Sequence, residues 1–236
     1  MSKKIKRKLP SLTIAIPAYN EEQNLEWVIK DTLRQASNYL SDFEILIIDD
    51  GSTDATGKIA DDMAKKNRKV KVIHKKNSGY GETMLFGIKN AKKEFVCYMP
   101  ADGQFIVDDM RHCFSRMPGS DLIFGYRGKR LDYTIYRLIL SYGYLFLLRL
   151  LFGMKYRDVN WLNIWRTKLV QKINISSRSV FILAEIGIRF KRKGFRIVEA
   201  PSFYRVRRGG KVKNAKPSVA FRALVDMLKF FSKTNE

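Results

Sequence analysis

Apolar positions along the chain fall into two alternating rhythms. Short runs rich in β-branched residues, Leu12–Ile16, Phe43–Ile48, Val70–His74 and Glu94–Met99, are separated by longer stretches whose apolar residues recur at helical spacing. Glu21–Leu40 sets Leu25, Val28, Ile29, Leu33 and Ala36 along one side of a helix. Thr53–Lys66 predicts a second helix, opened by Ser52 or Asp54 as N-cap, and Gly81–Lys92 a third behind a glycine-rich turn. The Phe43–Ile48 run is apolar at nearly every position, the pattern of a strand covered on both faces. This order predicts an α/β fold, a mixed, mostly parallel sheet flanked by helices, with ligands bound beyond the carboxyl ends of the strands.

The second half changes character. Asp121–Phe124 and Arg196–Glu199 predict strands, Tyr133–Phe152 and Phe181–Lys193 helices. Lys216–Lys233 predicts an amphipathic helix with Phe221, Leu224, Val225, Leu228 and Phe231 on one face. The longest apolar stretch, Leu138–Phe152, is bracketed or interrupted by Arg137, Arg149 and Lys155 and falls short of the ~20 residues a membrane span needs. It predicts either a buried core helix or a helix pair lying in a membrane interface. The boundaries that follow are a basic tail over 1–10, one domain over 11–213 with halves meeting near 105, and a C-terminal helix over 214–236.

Composition sharpens this picture. Apolar residues make up 45% of the 236 and aromatics 12%, enough for a packed core. The net charge of +22 is self-repulsive and calls for an anionic partner: nucleic acid, lipid headgroups or a phosphorylated substrate. Basic residues concentrate in two places, five among the first eight residues and eleven between Arg189 and Lys216. Two cysteines, Cys97 and Cys113, and two histidines, His74 and His112, argue against a disulfide framework or a Cys/His metal site. No secretory signal is apparent, because the apolar run after the basic start is short and meets Pro17.

The chemistry gathers at predicted strand ends: Pro17-Ala18-Tyr19-Asn20-Glu21-Glu22, Asp49-Asp50-Gly51-Ser52-Thr53-Asp54, Asn77-Ser78-Gly79-Tyr80-Gly81 and Pro100-Ala101-Asp102-Gly103-Gln104. Each alone is ordinary turn or cap chemistry. Four of them in this order along one sheet edge are more than turns require.

These strings, "IPAYNEEQNL", "ILIIDDGSTDAT", "NSGYGETMLFGIKNA" and "PADGQF", resemble glycosyltransferase family 2, inverting nucleotide-sugar enzymes of the GT-A fold. The later "FGYR", "DVNWLNIWR", "AEIGIRFKRKGFRIVEAP" and "RRGGKVK" resemble its dolichol-phosphate mannose synthase and polyprenyl-phosphate glycosyltransferase branch. The resemblance implies that Pro17, Ala18, Tyr19, Asn20 and Glu22 line the nucleotide-sugar pocket, that Asp50 (or, less well placed, Asp49) holds base or ribose, and that the turn at Gly79, Tyr80 and Gly81 lets backbone approach the ligand. Asp102 and Gln104 match the family's metal motif and imply Mg²⁺ or Mn²⁺, with Pro100 standing where the motif commonly has its first acid. Arg127, Arg137 and Arg207 match basic residues around the acceptor phosphate and donor diphosphate, Arg127 and Arg207 together with Asp102 forming the implied catalytic set. Arg208, Gly210 and Lys213 sit in the segment that matches an R-x-x-G-x-S-K element, in which Val212 replaces the Ser, and Asp158 matches an acid beside the acceptor. Glu185 matches a recurring acid that is also open to a structural ion pair, and Arg205 and Arg208 are equally open to being solvated surface.

The implied activity is metal-dependent transfer of a sugar from a GDP- or UDP-linked donor to a polyprenyl phosphate, at the cytoplasmic face of a membrane without a spanning helix. A phosphate monoester is already anionic and needs no strong base, and the Glu-Asp pair of hydroxyl-acting family members is missing from the second half. Two rivals remain: a family 2 enzyme with a glycan or protein hydroxyl acceptor, and a non-catalytic anion-binding protein. Acids clustered at strand ends fit a metal–nucleotide site better than a nucleic-acid surface.

Overall fold

The computed structural model describes residues 9–128, 133–205 and 217–233. Arg207, Arg208, Gly210, Val212 and Lys213, and the first eight residues of the expected basic tail, lie outside them.

Seven strands form one sheet in the order β3-β2-β1-β4-β6-β5-β7. β1 (Leu12–Ala18), β2 (Phe43–Asp49), β3 (Val70–His74) and β4 (Phe95–Tyr98) are parallel. β6 (Leu162–Arg166) runs antiparallel between β4 and β5 (Leu122–Tyr126), and β7 (Ile197–Pro201) returns parallel to β5 at the edge. Alternate residues of β1 and β2 divide between two cores. Ile14, Ile16, Ile45 and Ile47 pack with Leu25 and Ile29 of α1 (Leu25–Ala36), while Ala15, Leu46 and Ile48 pack with Met84 and Ile88 of α3 (Tyr80–Asn90). Burial on both faces explains why these strands read as continuous apolar runs. β1 is flanked by β2 and β4, whose connections leave to opposite sides, so the carboxyl ends of these three strands open a crevice.

Two helix starts differ from the sequence expectation. α1 begins at Leu25 rather than Glu21, and α2 (Thr56–Lys66) begins at Thr56 with neither Ser52 nor Asp54 as its cap. Ser52 is spent on the neighbouring loop, its Oγ accepting the Asn20 N–H at 3.1 Å, while Asp54, one residue before the cap position, divides its carboxylate between the Glu22 N–H and the Thr56 N–H that opens α2. The remaining short helices are α4 (Arg111–Phe114), preceded by a 3₁₀ turn at Val107–Met110, and α6 (Thr167–Val170).

The long helix α5 (Ile135–Phe152) is not a core helix. Leu148 alone is buried, while Ile135 is 78% exposed and Leu150 66%. Thr134 caps its start by accepting the Arg137 N–H, and Gly153 ends it in the left-handed region at φ 62°. By length and composition α5 is the one helix among the described residues able to cross a membrane, at the short end of the range of about 17–25 residues. Behind it, α7 (Ile182–Arg192) is buried along most of its length.

The last helix, α8 (Pro217–Lys233), turns a different face inward than its pattern suggests. Ala223, Met227 and Phe230 are buried, with Phe230 against Phe152 and Phe181, whereas Phe221, Leu224 and Leu228 are left exposed. The helix carries apolar residues on more than one side, and tertiary packing selects which stripe is covered.

Candidate active site

Two loops at the crevice are laced together before any ligand is considered. Asn20 sits at φ 51°, and its Oδ1 accepts the Thr53 N–H at 2.9 Å. Glu22 Oε2 accepts the Ala55 N–H at 3.0 Å, and Glu21 N–H donates to Thr56 Oγ1. Asn20 and Glu22 therefore clamp the loop after β1 to the loop after β2 and do not line the cavity. Pro17, Ala18 and Tyr19 of the same segment do line it.

Asp50, at the end of β2, is nearly fully buried and faces the cavity. It receives the N–H groups of Ser78 and Gly79 at 3.0 and 3.1 Å and pairs with the Lys75 ammonium. Its neighbour Asp49 points the other way, accepting the Ser52 N–H and bonding His74 Nδ1 at 2.9 Å. Burial raises Asp49, but its bonds to Ser52 and His74 outweigh burial and hold it below the usual carboxylate value. The structure thus separates the adjacent acids, Asp50 toward the cavity and Asp49 toward α2.

Gly79, at φ 84°, faces the cavity and needs its missing Cβ for the backbone conformation. Gly81 does not serve ligand approach, as had been expected of the whole turn. A Cβ there would lie 2.2 Å from the Arg178 carbonyl oxygen, so Gly81 is small to let two backbone segments touch.

One cavity of about 1530 Å³ collects the rest. Asp102 and Gln104 line it after β4, and Asp102 Oδ1 accepts the Gln104 N–H at 3.1 Å. Opposite in sequence, Arg127 leaves β5 into the same space. Its Nε and Nη2 donate to Asp158 Oδ2 and Oδ1 at 2.8 and 3.2 Å, and its Nη1 donates to Tyr133 Oη at 2.7 Å. Burial opposes the charge on Arg127, and Asp158 more than restores it, so the guanidinium stays protonated. Asp158 is buried behind Arg127 rather than exposed to the cavity. Arg137, in the first turn of α5, lines the cavity with its guanidinium 4.1 Å from the centre of the Tyr133 ring. Glu185 is absent from the cavity: wholly buried, it accepts the N–H groups of Ser176 and Ser177 and pairs with Arg189 at 2.7 Å.

Further residues complete the site, Tyr80 and Arg205 among them already singled out in sequence. Lys75 follows directly on β3, and its position after a predicted strand was the available signal. Tyr80, Tyr98 and Tyr144 come from α3, β4 and α5 to the cavity lining, each with its hydroxyl pushed above the ordinary tyrosine value by burial. Trp161 stacks on Phe105 with ring centres 3.9 Å apart and forms another wall. Arg205 lies beneath the Asp102 loop rather than on a solvated surface, bonded to the Gly103 and Phe105 carbonyls.

Among the described residues no group of three His, Cys, Asp or Glu side chains is arranged to hold a metal. What the loop offers is a carboxylate and an amide oxygen, Asp102 and Gln104, both hard donors suited to Mg²⁺ or Mn²⁺ when diphosphate and water complete the shell. With Pro100 beside them, Asp102 is the one carboxylate of this loop.

The sequence model described as "Glycosyl transferase family 2" matches residues 13–181. The chain belongs to glycosyl transferase family 2. It is 30% identical over 214 residues to the dolichol-phosphate mannosyltransferase of Pyrococcus furiosus, covering 86% of this chain and 58% of that protein. It is 27% identical to the undecaprenyl-phosphate mannosyltransferase of Micrococcus luteus, covering 80% and 81%. The matched stretch spans 26% and 50% of the lengths of two Bacillus subtilis proteins named as glycosyltransferases. In structure, the chain superposes on glucosyl-3-phosphoglycerate synthase of Mycobacterium tuberculosis, solved with Mn²⁺, UDP-glucose and phosphoglyceric acid, with a TM-score of 0.69 at 17% identity, over 94% of this chain and 80% of that one. That likeness establishes the GT-A fold for this family 2 member.

Proposed function

We propose that this protein transfers a sugar from a nucleotide-diphosphate sugar to a polyprenyl phosphate at a membrane surface, inverting the anomeric centre. The observation that carries the reading is the continuity of one cavity. It runs from the polar strand ends at Asp50 and Asp102, past Arg127 and Arg137, to apolar walls supplied by Leu140 of α5 and Leu224 of α8. A charged headgroup and a hydrocarbon tail need such adjoining surroundings. The mannosyltransferases of Pyrococcus furiosus and Micrococcus luteus, named for dolichol-phosphate and undecaprenyl-phosphate, support the acceptor class.

The residues divide the work by chemistry. Pro17, Ala18, Tyr19, Asp50 and Gly79 receive the nucleotide, with Asn20 and Glu22 holding the two loops in register. Asp102 and Gln104 would hold Mg²⁺ or Mn²⁺, which offsets charge on the departing diphosphate. Arg127 and Arg137 present guanidinium groups to acceptor phosphate and diphosphate, and Asp158 fixes the first of them in direction. Arg207 and Lys213 are assigned to the acceptor phosphate by resemblance. The acceptor's phosphate oxygen forms the new bond to the anomeric carbon as the bond to the diphosphate breaks, with no proton to remove beforehand.

Membrane docking follows from the exposed apolar residues of α5 and α8 beside a surplus of positive charge. Ile139, Phe146, Phe221 and Leu228 are solvent-facing. Arg137 and Arg149 within α5, and its use as a cavity wall, favour a helix lying in the interface over a spanning one. Each Lys or Arg near an anionic surface adds about 1 kcal/mol.

The test compares a short polyprenyl phosphate with the matching free polyprenol, using UDP- and GDP-sugars with Mn²⁺. Product is expected only with the phosphate. Equal turnover of the alcohol would replace this reading with a hydroxyl acceptor, and no product with any lipid would leave the transfer reading without support.

A further inference from the structure

The loop Asp102–Phe105 carries both oxygen donors assigned to the metal, yet little within the loop fixes its backbone. Gly103 lies in the left-handed region at φ 74°, where glycine has the greatest conformational freedom to lose. The local restraint is the Asp102 carboxylate accepting the Gln104 N–H, which uses part of the group the metal needs. Restraint comes instead from Arg205. Its Nε donates to the Gly103 carbonyl at 2.9 Å and its Nη2 to the Phe105 carbonyl at 3.0 Å. Its own backbone N–H donates to the Gln104 carbonyl at 3.0 Å. Three successive carbonyls are thus held by one residue.

The guanidinium is itself immobilised. Nη2 pairs with Asp31 Oδ2 at 2.7 Å, and the guanidinium carbon lies 4.5 Å from the centre of the Trp27 ring, both residues belonging to α1. Asp31 is held in turn by Gln35 and Arg34, at 2.7 and 2.8 Å through Oδ1. Burial raises Asp31, and its hydrogen bonds to Arg34, Arg205 and Gln35 outweigh that, keeping it ionised. Next along the chain, Tyr204 bridges to Phe105, whose ring is stacked on Trp161. The loop is fastened at both ends to the body of the protein.

We propose that Arg205 is a positioning residue for the divalent cation: by tying the Gly103–Phe105 carbonyls to Asp31, it holds Asp102 and Gln104 in the geometry that lets a single carboxylate suffice where Pro100 has removed a second. The inference rests on the metal reading above. With fewer charges to attract the ion, affinity depends more on donors already in place, and groups that orient a metal's ligands typically contribute ten- to a hundredfold in affinity (roughly). Arg205 touches neither donor atom and acts through the loop's backbone. Lysine cannot replace it, because a single ammonium does not reproduce a planar fork reaching two carbonyls and a carboxylate.

The experiment measures Mn²⁺ binding directly, by the electron paramagnetic resonance signal of free Mn²⁺ in the presence of UDP or of GDP, for the wild type, Arg205→Ala, Arg205→Lys and Asp31→Asn. Binding of the same nucleotide in EDTA is measured alongside by calorimetry. Arg205→Ala is expected to weaken Mn²⁺ binding by about tenfold or more, with Lys giving little recovery and metal-free nucleotide binding unchanged. Asp31→Asn, which leaves Arg205 present but loosens its anchor, is expected to show a smaller loss in the same direction and decides the matter if Arg205→Ala does not fold. Unchanged Mn²⁺ affinity in the variants that fold overturns the inference, as does an equal loss of metal-free nucleotide binding, which marks a general strut. Absence of Mn²⁺ binding by the wild type with either nucleotide removes the metal reading itself and this inference with it.

Discussion

Asp158 holds Arg127 from behind in a two-pronged ion pair, with side-chain exposures of 3% and 9%. The carboxylate therefore fixes the direction of a cation that faces the cavity, and does so where water screens little. Replacing Asp158 by Asn removes the charge and strands a buried guanidinium, and breaking such a pair costs about 3–5 kcal/mol. Denaturant unfolding should show that loss. The double variant Arg127→Met, Asp158→Leu should recover much of the stability and none of the transfer, separating the pair's structural role from its chemical one.

Asp102 supplies the one carboxylate of the loop after β4. Asp102→Asn is expected to abolish metal-dependent transfer while leaving the melting temperature near that of the wild type, since the residue is only partly buried at the cavity wall. Wild-type activity in this variant, with Mn²⁺ present and lost on chelation, would show that the ion sits elsewhere.

Phe221, Leu224 and Leu228 are exposed on α8, the first two also lining the open cavity, while Ala223, Met227 and Phe230 hold α8 to the protein. Changing the first three together to Ser should release the protein from anionic liposomes in a flotation assay without lowering the melting temperature. Loss of folding with liposome binding intact would mean that this face is covered within the protein.

His74 bridges Asp49 at 2.9 Å and Asp61 at 3.1 Å, and these bonds raise its pKa above the ordinary 6.5 against the opposing effect of burial. A raised histidine contributes its stabilisation fully below 6.5 and loses it as pH rises through the folded value. Asp49, lowered from 3.8, contributes above that value and loses its part as pH falls through the folded one. The melting-temperature advantage of wild type over His74→Gln should therefore shrink as pH rises from about 6 to about 9. A constant difference across that range would show that folding leaves the histidine's pKa unshifted.

Much of this protein was legible from neighbours in sequence. β3 has the bounds its apolar run predicts, Val70–His74, and the parallel order follows from alternation of strand and helix signals. Polar residues at the ends of β1, β2 and β4 pointed to the crevice because strand direction is local information and the sheet gathers like ends together. The family itself was readable from strings of contiguous residues. Helix starts were not, because Ser52 and Asp54 had two possible users, their own helix and a loop about thirty positions earlier, and only packing gave Ser52 to the loop and shared Asp54 between both.

Tertiary structure alone decided which face of α8 is covered, that α5 stands exposed, and that Gly81 meets the Arg178 backbone rather than a ligand. It also sorted residues of one type into different tasks. Arg127 lines the cavity on a buried carboxylate, while Arg205, read from sequence as possible surface, braces the Asp102 loop through Asp31, 174 positions away. Amino-acid type and spacing specify what a residue can do within a turn or two of chain. Which of its possible partners it meets depends on contacts between segments far apart in sequence, and those exist only once the sheet has brought the segments together.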